Sequence, residues 1–238
     1  MKTLVVAATK AELTFFYQHF NLPDADFVEN KNFDLLITGV GMVATAFALG
    51  KHLSSKYNLV LNLGIAGSFS RDMALGTVLN ITEDTFAEMG AENGSDFLSI
   101  NDLGFGESHY TPITPNSINL PTATGITVNC VTGSEKSIKN LTARLNPTTE
   151  SMEGAAVFYA CKQLNIASLQ IRSISNYVEP RNKDNWKIGL AIKNLNDWAI
   201  AFIGEMNWLW LIYLPQYLIL IDEPDTIEII VLIVKGSI

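Results

Sequence analysis

Short, nearly continuous apolar runs punctuate the chain at Thr3–Ala8, Leu35–Thr38, Leu59–Leu63, Thr77–Ile81, Thr127–Val131 and Ser168–Ile174. They are rich in Val, Ile and Leu, the pattern of strands covered on both faces. Between them, Ala11–Phe20, Ala44–Leu53 and Glu153–Leu164 carry helical spacing. Strand followed by helix, repeated, predicts a single α/β domain with a central mixed, largely parallel sheet flanked by helices. Ligands in such folds bind beyond the carboxyl ends of the strands, so chemistry is expected just after each apolar run. Residues 88–122, rich in Gly, Asn, Ser and Pro, read as a long irregular insertion of the kind that often serves function.

The last segment differs in kind. Trp208–Ile221 reads WLWLIYLPQYLILI, followed by the acidic DEPDTIE and then IIVLIV. A membrane-spanning helix needs roughly 18 or more apolar residues, and Pro215 interrupts this run, so no span is expected. Two β-rich runs around Pro224–Asp225 suit a hairpin, either packed or facing a partner, or else an appended tail without function. The expected division is a domain over 1–207 and a hydrophobic extension over 208–238.

Composition narrows the function classes. The chain has 238 residues, enough to bury a core without staples, and its 48% hydrophobic content excludes disorder. Its net charge of −8 and lack of a basic cluster exclude a nucleic-acid backbone as partner. Cys130 and Cys161 make neither a disulfide framework nor a four-ligand zinc site, and both lie in apolar runs, as inert core thiols would. His19, His52 and His109 show no metal-ligand spacing, so no metal is expected. The apolar run in MKTLVVAATKAE is too short for a signal peptide, which makes a cytoplasmic protein the default.

Thr38–Ala44, TGVGMVA, has the outline of a dinucleotide fingerprint, which needs an acid roughly 20 residues on. No Asp or Glu lies between Asp34 and Asp72, so nicotinamide binding is rejected. What remains is a tight turn with close backbone packing, or one whose amides face a polar ligand. Walker A, GxSxG and HExxH patterns are absent from the sequence.

Four pieces fall where an α/β site wants them: AATKAEL at Ala7–Leu13, NLGIAGSF at Asn62–Phe69, ESMEGAA at Glu150–Ala156 and RSISNYVEPRN at Arg172–Asn182. Together, over about residues 1–207, they resemble the purine nucleoside phosphorylase and nucleosidase superfamily, and within it the futalosine hydrolases. The resemblance implies a nucleoside phosphorylase-like fold and hydrolysis of an N-glycosidic bond by water, without a cofactor. Glu12 then matches the carboxylate that activates water at the anomeric carbon. Glu153 matches the acceptor for the ribose hydroxyls, and Met152 the residue that packs on the sugar. Gly64 belongs to the glycine-rich piece, and Asn176 takes the base-recognition position. The similar adenosine-type nucleosidases keep an Asp there to protonate N7, whereas an amide donates to the two acceptors, N7 and O6, of a 6-oxopurine. Hypoxanthine release from futalosine, on the route to menaquinone, is therefore expected. Glu179 is a candidate acceptor for the oxopurine N1–H, and Arg181 or Lys183 is a candidate donor to the carboxylate at futalosine's 5′ end.

Phosphorylases similar to this chain keep an arginine just before the glycine of the second piece. Asn62-Leu63-Gly64 has none there, which favours hydrolysis, although Arg71 and Arg172 lie near the pieces. The superfamily often completes its site with a loop from a neighbouring subunit, which implies a homo-oligomer and singles out Phe105 and His109. Each candidate also has an ordinary explanation. Thr9 and Glu12 form a capping box, Glu153 suits a first helical turn, and Asn176 suits a strand–loop junction. The rivals are an adenine-releasing nucleosidase, acting on methylthioadenosine or aminofutalosine, then a phosphorylase, and from another class a nucleoside-binding protein without catalysis.

Overall fold

The computed structural model describes residues 2–94, 96–113 and 118–212. Its main sheet contains β1 (Thr3–Ala7), β2 (Phe27–Glu29), β3 (Phe33–Ile37), β4 (Leu59–Ser68), β5 (Val78–Phe86), β8 (His109–Tyr110), β9 (Thr122–Thr127), β10 (Thr149–Ser151) and β11 (Ala167–Tyr177). Strand order is β10-β9-β5-β11-β4-β1-β3-β2, with β8 added to β5 and β10 also meeting β4. β3, β1, β4 and β11 run parallel, while β5 lies antiparallel to β11 and β10 antiparallel to β4. The sheet is thus mixed with a parallel centre, and its middle strands are apolar because they are covered on both sides.

The helices are α1 (Thr14–His19), α2 (Met42–His52), α3 (Glu135–Leu145), α4 (Gly154–Leu164) and α5 (Ile188–Ile212), with a 3-10 turn at Lys10–Leu13 before α1. One cluster packs α2 and α4 on the sheet, through Leu49, Leu53, Val157 and Cys161 against Leu4, Val6, Leu36 and Val60. One compact unit ends at Trp198, a boundary that falls inside α5. Among the described residues no helix is long and apolar enough to cross a membrane.

Three sequence expectations need correcting. The run Thr127–Val131 is not a strand: β9 lies upstream and ends at Thr127. That run is apolar because Val128 belongs to a core cluster and Val131 borders a cavity. Residues 88–122 are not wholly irregular, since β6 (Gly90–Asn93) and β7 (Asp96–Ser99) form a hairpin and β8 joins the sheet. Cys161 is buried, with its thiol pushed up to about 12, but Cys130 is exposed. At the far end, residues 208–212 continue helix α5, and the rest of the expected hairpin lies outside the described residues.

Candidate active site

A cavity of about 350 Å³ opens beyond the carboxyl end of β1 and along the C-terminal halves of β4 and β11. Glu12, Met152, Glu153, Asn176 and Glu179 all line it.

Glu12 arrives by local chemistry. The chain leaves β1 and turns at Thr9, whose extended backbone starts the 3-10 turn. Thr9 Oγ1 accepts from Glu12 N at 3.4 Å, while Glu12 Oε2 accepts from Thr9 N at 3.0 Å and from the Thr9 hydroxyl at 3.1 Å. The capping box is therefore real, and the same carboxylate faces the cavity. Its other oxygen, Oε1, accepts from Ile65 N at 3.2 Å. Buried Asn196 holds the turn from behind, donating to Glu12 O at 2.7 Å and accepting from Phe16 N at 2.8 Å. Burial pushes the Glu12 carboxyl above the usual carboxylate range; nearby Glu153 adds to this, and the Ile65 amide, Arg172 and Thr9 oppose it. A carboxylate so shifted is a stronger base.

Glu153 stands at the N-cap position of α4 without capping it. It accepts instead from Gly41 N at 2.9 Å. Gly41 (φ +92°) and Gly39 (φ +85°) give the TGVGMVA turn a conformation that L side chains rarely adopt. That turn aims an amide at the chain's own carboxylate and so ties α2 to α4.

Arg172 lies beneath these acids, 1% exposed, on a strand that also buries Ser168, Gln170, Ser173 and Ser175. Its Nη1 donates to Asn62 Oδ1 at 2.6 Å. Burial pulls its pKa down, and Glu153, Glu12 and Asp84 work against that loss. Gly64 makes the approach possible: a Cβ there would stand 3.1 Å from Arg172 Nη1 and 3.2 Å from Glu12 Oε1. Its positive charge favours the ionised form of Glu12 against the cost of burial.

A second buried acid sets the start of α4. Asp84 accepts from Thr127 Oγ1 and from Gln170 Nε2, both at 2.8 Å. Thr127 Oγ1 in turn accepts from Ala155 N at 2.8 Å. Gly154 leaves the room, since a Cβ there would fall 2.2 Å from Asp84 Oδ2. Burial raises the Asp84 carboxyl to about 6.

At the end of β11, Asn176 Oδ1 accepts from the Ser175 hydroxyl at 2.8 Å, and Nδ2 donates to Tyr177 O at 3.0 Å. One N–H of the amide is left over. Glu179 pairs with Arg71 and accepts from Asn185 Nδ2 at 3.0 Å, so it forms a structured rim. Arg181 also borders the cavity, its guanidinium over the Trp186 ring at 5.1 Å. Lys183 does not line it. Phe105 is not brought to this cavity. It is 79% exposed and lines a separate apolar groove with Met42, Val43, Met89 and Tyr159. His109 pairs with Glu83 at 3.6 Å, away from the site.

Sequence reasoning passed over Asn196, Gly41 and Glu150, and noted Arg172 only as a nearby cation. The signal for Arg172 was available: a charge inside a buried-strand run is rare unless paired. Asn196 gave none, because its role depends on contacts across 184 positions of sequence.

Residues 30–204 match the family model of the phosphorylase superfamily. A futalosine hydrolase of Streptomyces coelicolor is 33% identical over 190 residues, covering 74% of this chain and 80% of the relative. A futalosine hydrolase of Thermus thermophilus is 28% identical over 179 residues, covering 71% and 80%. The fold is similar to a 5′-methylthioadenosine/S-adenosylhomocysteine nucleosidase of Helicobacter pylori, with a TM-score of 0.72 at 16% identity over 86% of this chain and 98% of the other. It is equally similar to a futalosine hydrolase of the same organism, with a TM-score of 0.72, 15% identity and the same coverage.

Proposed function

The chain belongs to the phosphorylase superfamily, and from that premise we propose that it hydrolyses the N-glycosidic bond of futalosine, releasing hypoxanthine. The observation that carries this is the meeting of Glu12, Glu153 and Asn176 around one cavity, over a buried Arg172. Glu12 takes a proton from water, whose oxygen forms the new bond to C1′. The C1′–N9 bond breaks with its electron pair going to the purine. Glu153 accepts from the ribose hydroxyls, and Met152 packs on the sugar. The free N–H of Asn176 stabilises charge arriving on N7 and O6 of the departing base. No cofactor takes part. The product without its base is a precursor in menaquinone biosynthesis. Residues 1–207 constitute the nucleosidase domain.

The active form is a homo-oligomer. Val43, Phe47 and Phe105 are 77%, 75% and 79% exposed, more apolar surface than a lone chain usually offers to water. A second copy covers that face and brings Phe105 toward a neighbouring site.

The test is a chromatographic product assay on futalosine, aminofutalosine, inosine and methylthioadenosine, each with and without phosphate. Hypoxanthine from futalosine, independent of phosphate, is expected. Release of adenine instead would refute the role given to Asn176, and dependence on phosphate would make the enzyme a phosphorylase. Nucleoside binding with no product would leave the non-catalytic rival.

A further inference from the structure

Glu150 is a carboxylate that the mechanism does not use, although it lines the same cavity and is 6% exposed. Its place in the sheet is informative. Glu150 pairs with Gly67 across β10 and β4, and Asn176 pairs with Gly67 across β11 and β4. The three residues therefore stand abreast. Glu150 and Asn176 are two strands apart, roughly 9–10 Å between backbones, with no side chain between them. All three face the cavity. A Cβ on Gly67 would sit 3.2 Å from Asn176 Nδ2 and 3.0 Å from Val178 Cγ2, so the gap depends on glycine.

This row offers a donor, an open slot and an acceptor, in that order. A 6-oxopurine offers the complement along one edge: the acceptors N7 and O6, then the donor N1–H. Adenine offers an N1 lone pair in the last position, which a carboxylate repels. Glu150 Oε1 accepts from Thr132 N at 2.9 Å, and Oε2 accepts from the Thr132 hydroxyl. A carboxylate has about four acceptor positions, so capacity remains on both oxygens. Glu179, the other acid at this end, is paired with the Arg71 guanidinium, whereas both partners of Glu150 are uncharged groups of Thr132.

We propose that Glu150 is the residue that reads the 6-oxopurine N1–H, opposite Asn176 across the Gly67 slot. This rests on the nucleoside hydrolase reading above and assigns its base selectivity to a carboxylate–amide pair.

Glu150→Gln is the decisive variant. Glutamine keeps an oxygen for Thr132 N–H and an amide to which the Thr132 hydroxyl can act as acceptor, so the loop stays fastened. It leaves no carboxylate for N1–H. Calorimetry with hypoxanthine and 1-methylhypoxanthine compares bases that differ at N1 alone. The wild type is expected to prefer hypoxanthine by roughly 10- to 100-fold, the scale of a hydrogen bond to a charged group, and Glu150→Gln to lose that preference. In turnover, kcat/KM for futalosine should fall by a similar factor while that for aminofutalosine holds or rises. Equal weakening toward both bases, or no change, would reduce Glu150 to a loop fastener and overturn the proposal. Base binding needs no turnover. A wild type that makes no hypoxanthine from futalosine therefore refutes the hydrolase reading alone, while the calorimetry still decides Glu150.

Discussion

Glu12 serves two purposes with one carboxyl group: it closes the capping box on Thr9 and it faces the cavity beside Ile65 N–H. Its raised pKa follows chiefly from burial, so the ionised form costs stability in the fold. The sign is that of a carboxylate whose native pKa lies above its unfolded one. The native state binds the extra proton, and stability falls as pH rises from the usual carboxylate range through the raised value. Glu12→Gln should therefore match or exceed the wild type in urea denaturation at neutral pH. Its turnover should drop by roughly 10² or more. In the wild type, kcat/KM should fall as pH is lowered through a value above 4.5, and that limb should vanish in the variant. A variant that is both unstable and active would contradict both halves. Glu12, Glu153 and Asn176 were legible through the resemblance of their sequence pieces to the superfamily, and all three line one cavity. Glu150 was harder to see, because its place beside Asn176 depends on register between strands far apart in sequence.

At the scale of elements, the site is a property of three neighbouring strands and two helix starts. The alternation of apolar runs and helices was enough to read the parallel centre of the sheet. It missed β9, whose sequence TATGIT is too polar and glycine-rich for a buried-strand pattern. That polarity has a cause: Thr127 reaches Asp84 and the start of α4, and Gly125 leaves space for the same acid, whose oxygen a Cβ there would approach to 2.9 Å. The glycines of β4 are likewise functional space rather than flexibility. Gly67→Ala should fold, because strand backbone accepts alanine there, yet the new methyl group would press on the Asn176 amide. The expected result is a rise in KM for futalosine of roughly tenfold, with a thermal midpoint within a few degrees of the wild type. An unchanged KM would show that the slot is wider than the row of residues implies.

For the whole molecule, two surfaces matter outside the cavity. The exposed apolar face of α2 and the Phe105 loop should be covered in solution, and light scattering should give a mass above that of one chain. Val43→Asp should shift it toward the monomer. The segment after Asn207 stands apart in the sequence through its composition alone. A chain ending at Asn207 is expected to keep kcat/KM for futalosine within about twofold of full length, because the residues lining the cavity run from Ala8 to Ile192. A truncated chain that is folded and inactive would refute this.

The bond from Gly41 N–H to Glu153 joins residues 112 positions apart, and the one from Asn196 to Glu12 spans 184. The centre thus has no local precursor: no hairpin or helix pair contains enough of it to act. In refolding, loop closures this long form among the slow contacts, because their entropy cost is met late. Regain of hydrolysis should then lag regain of helical signal. Turnover would report arrival at the complete topology, and the enzyme would serve as its own clock for the last step of folding.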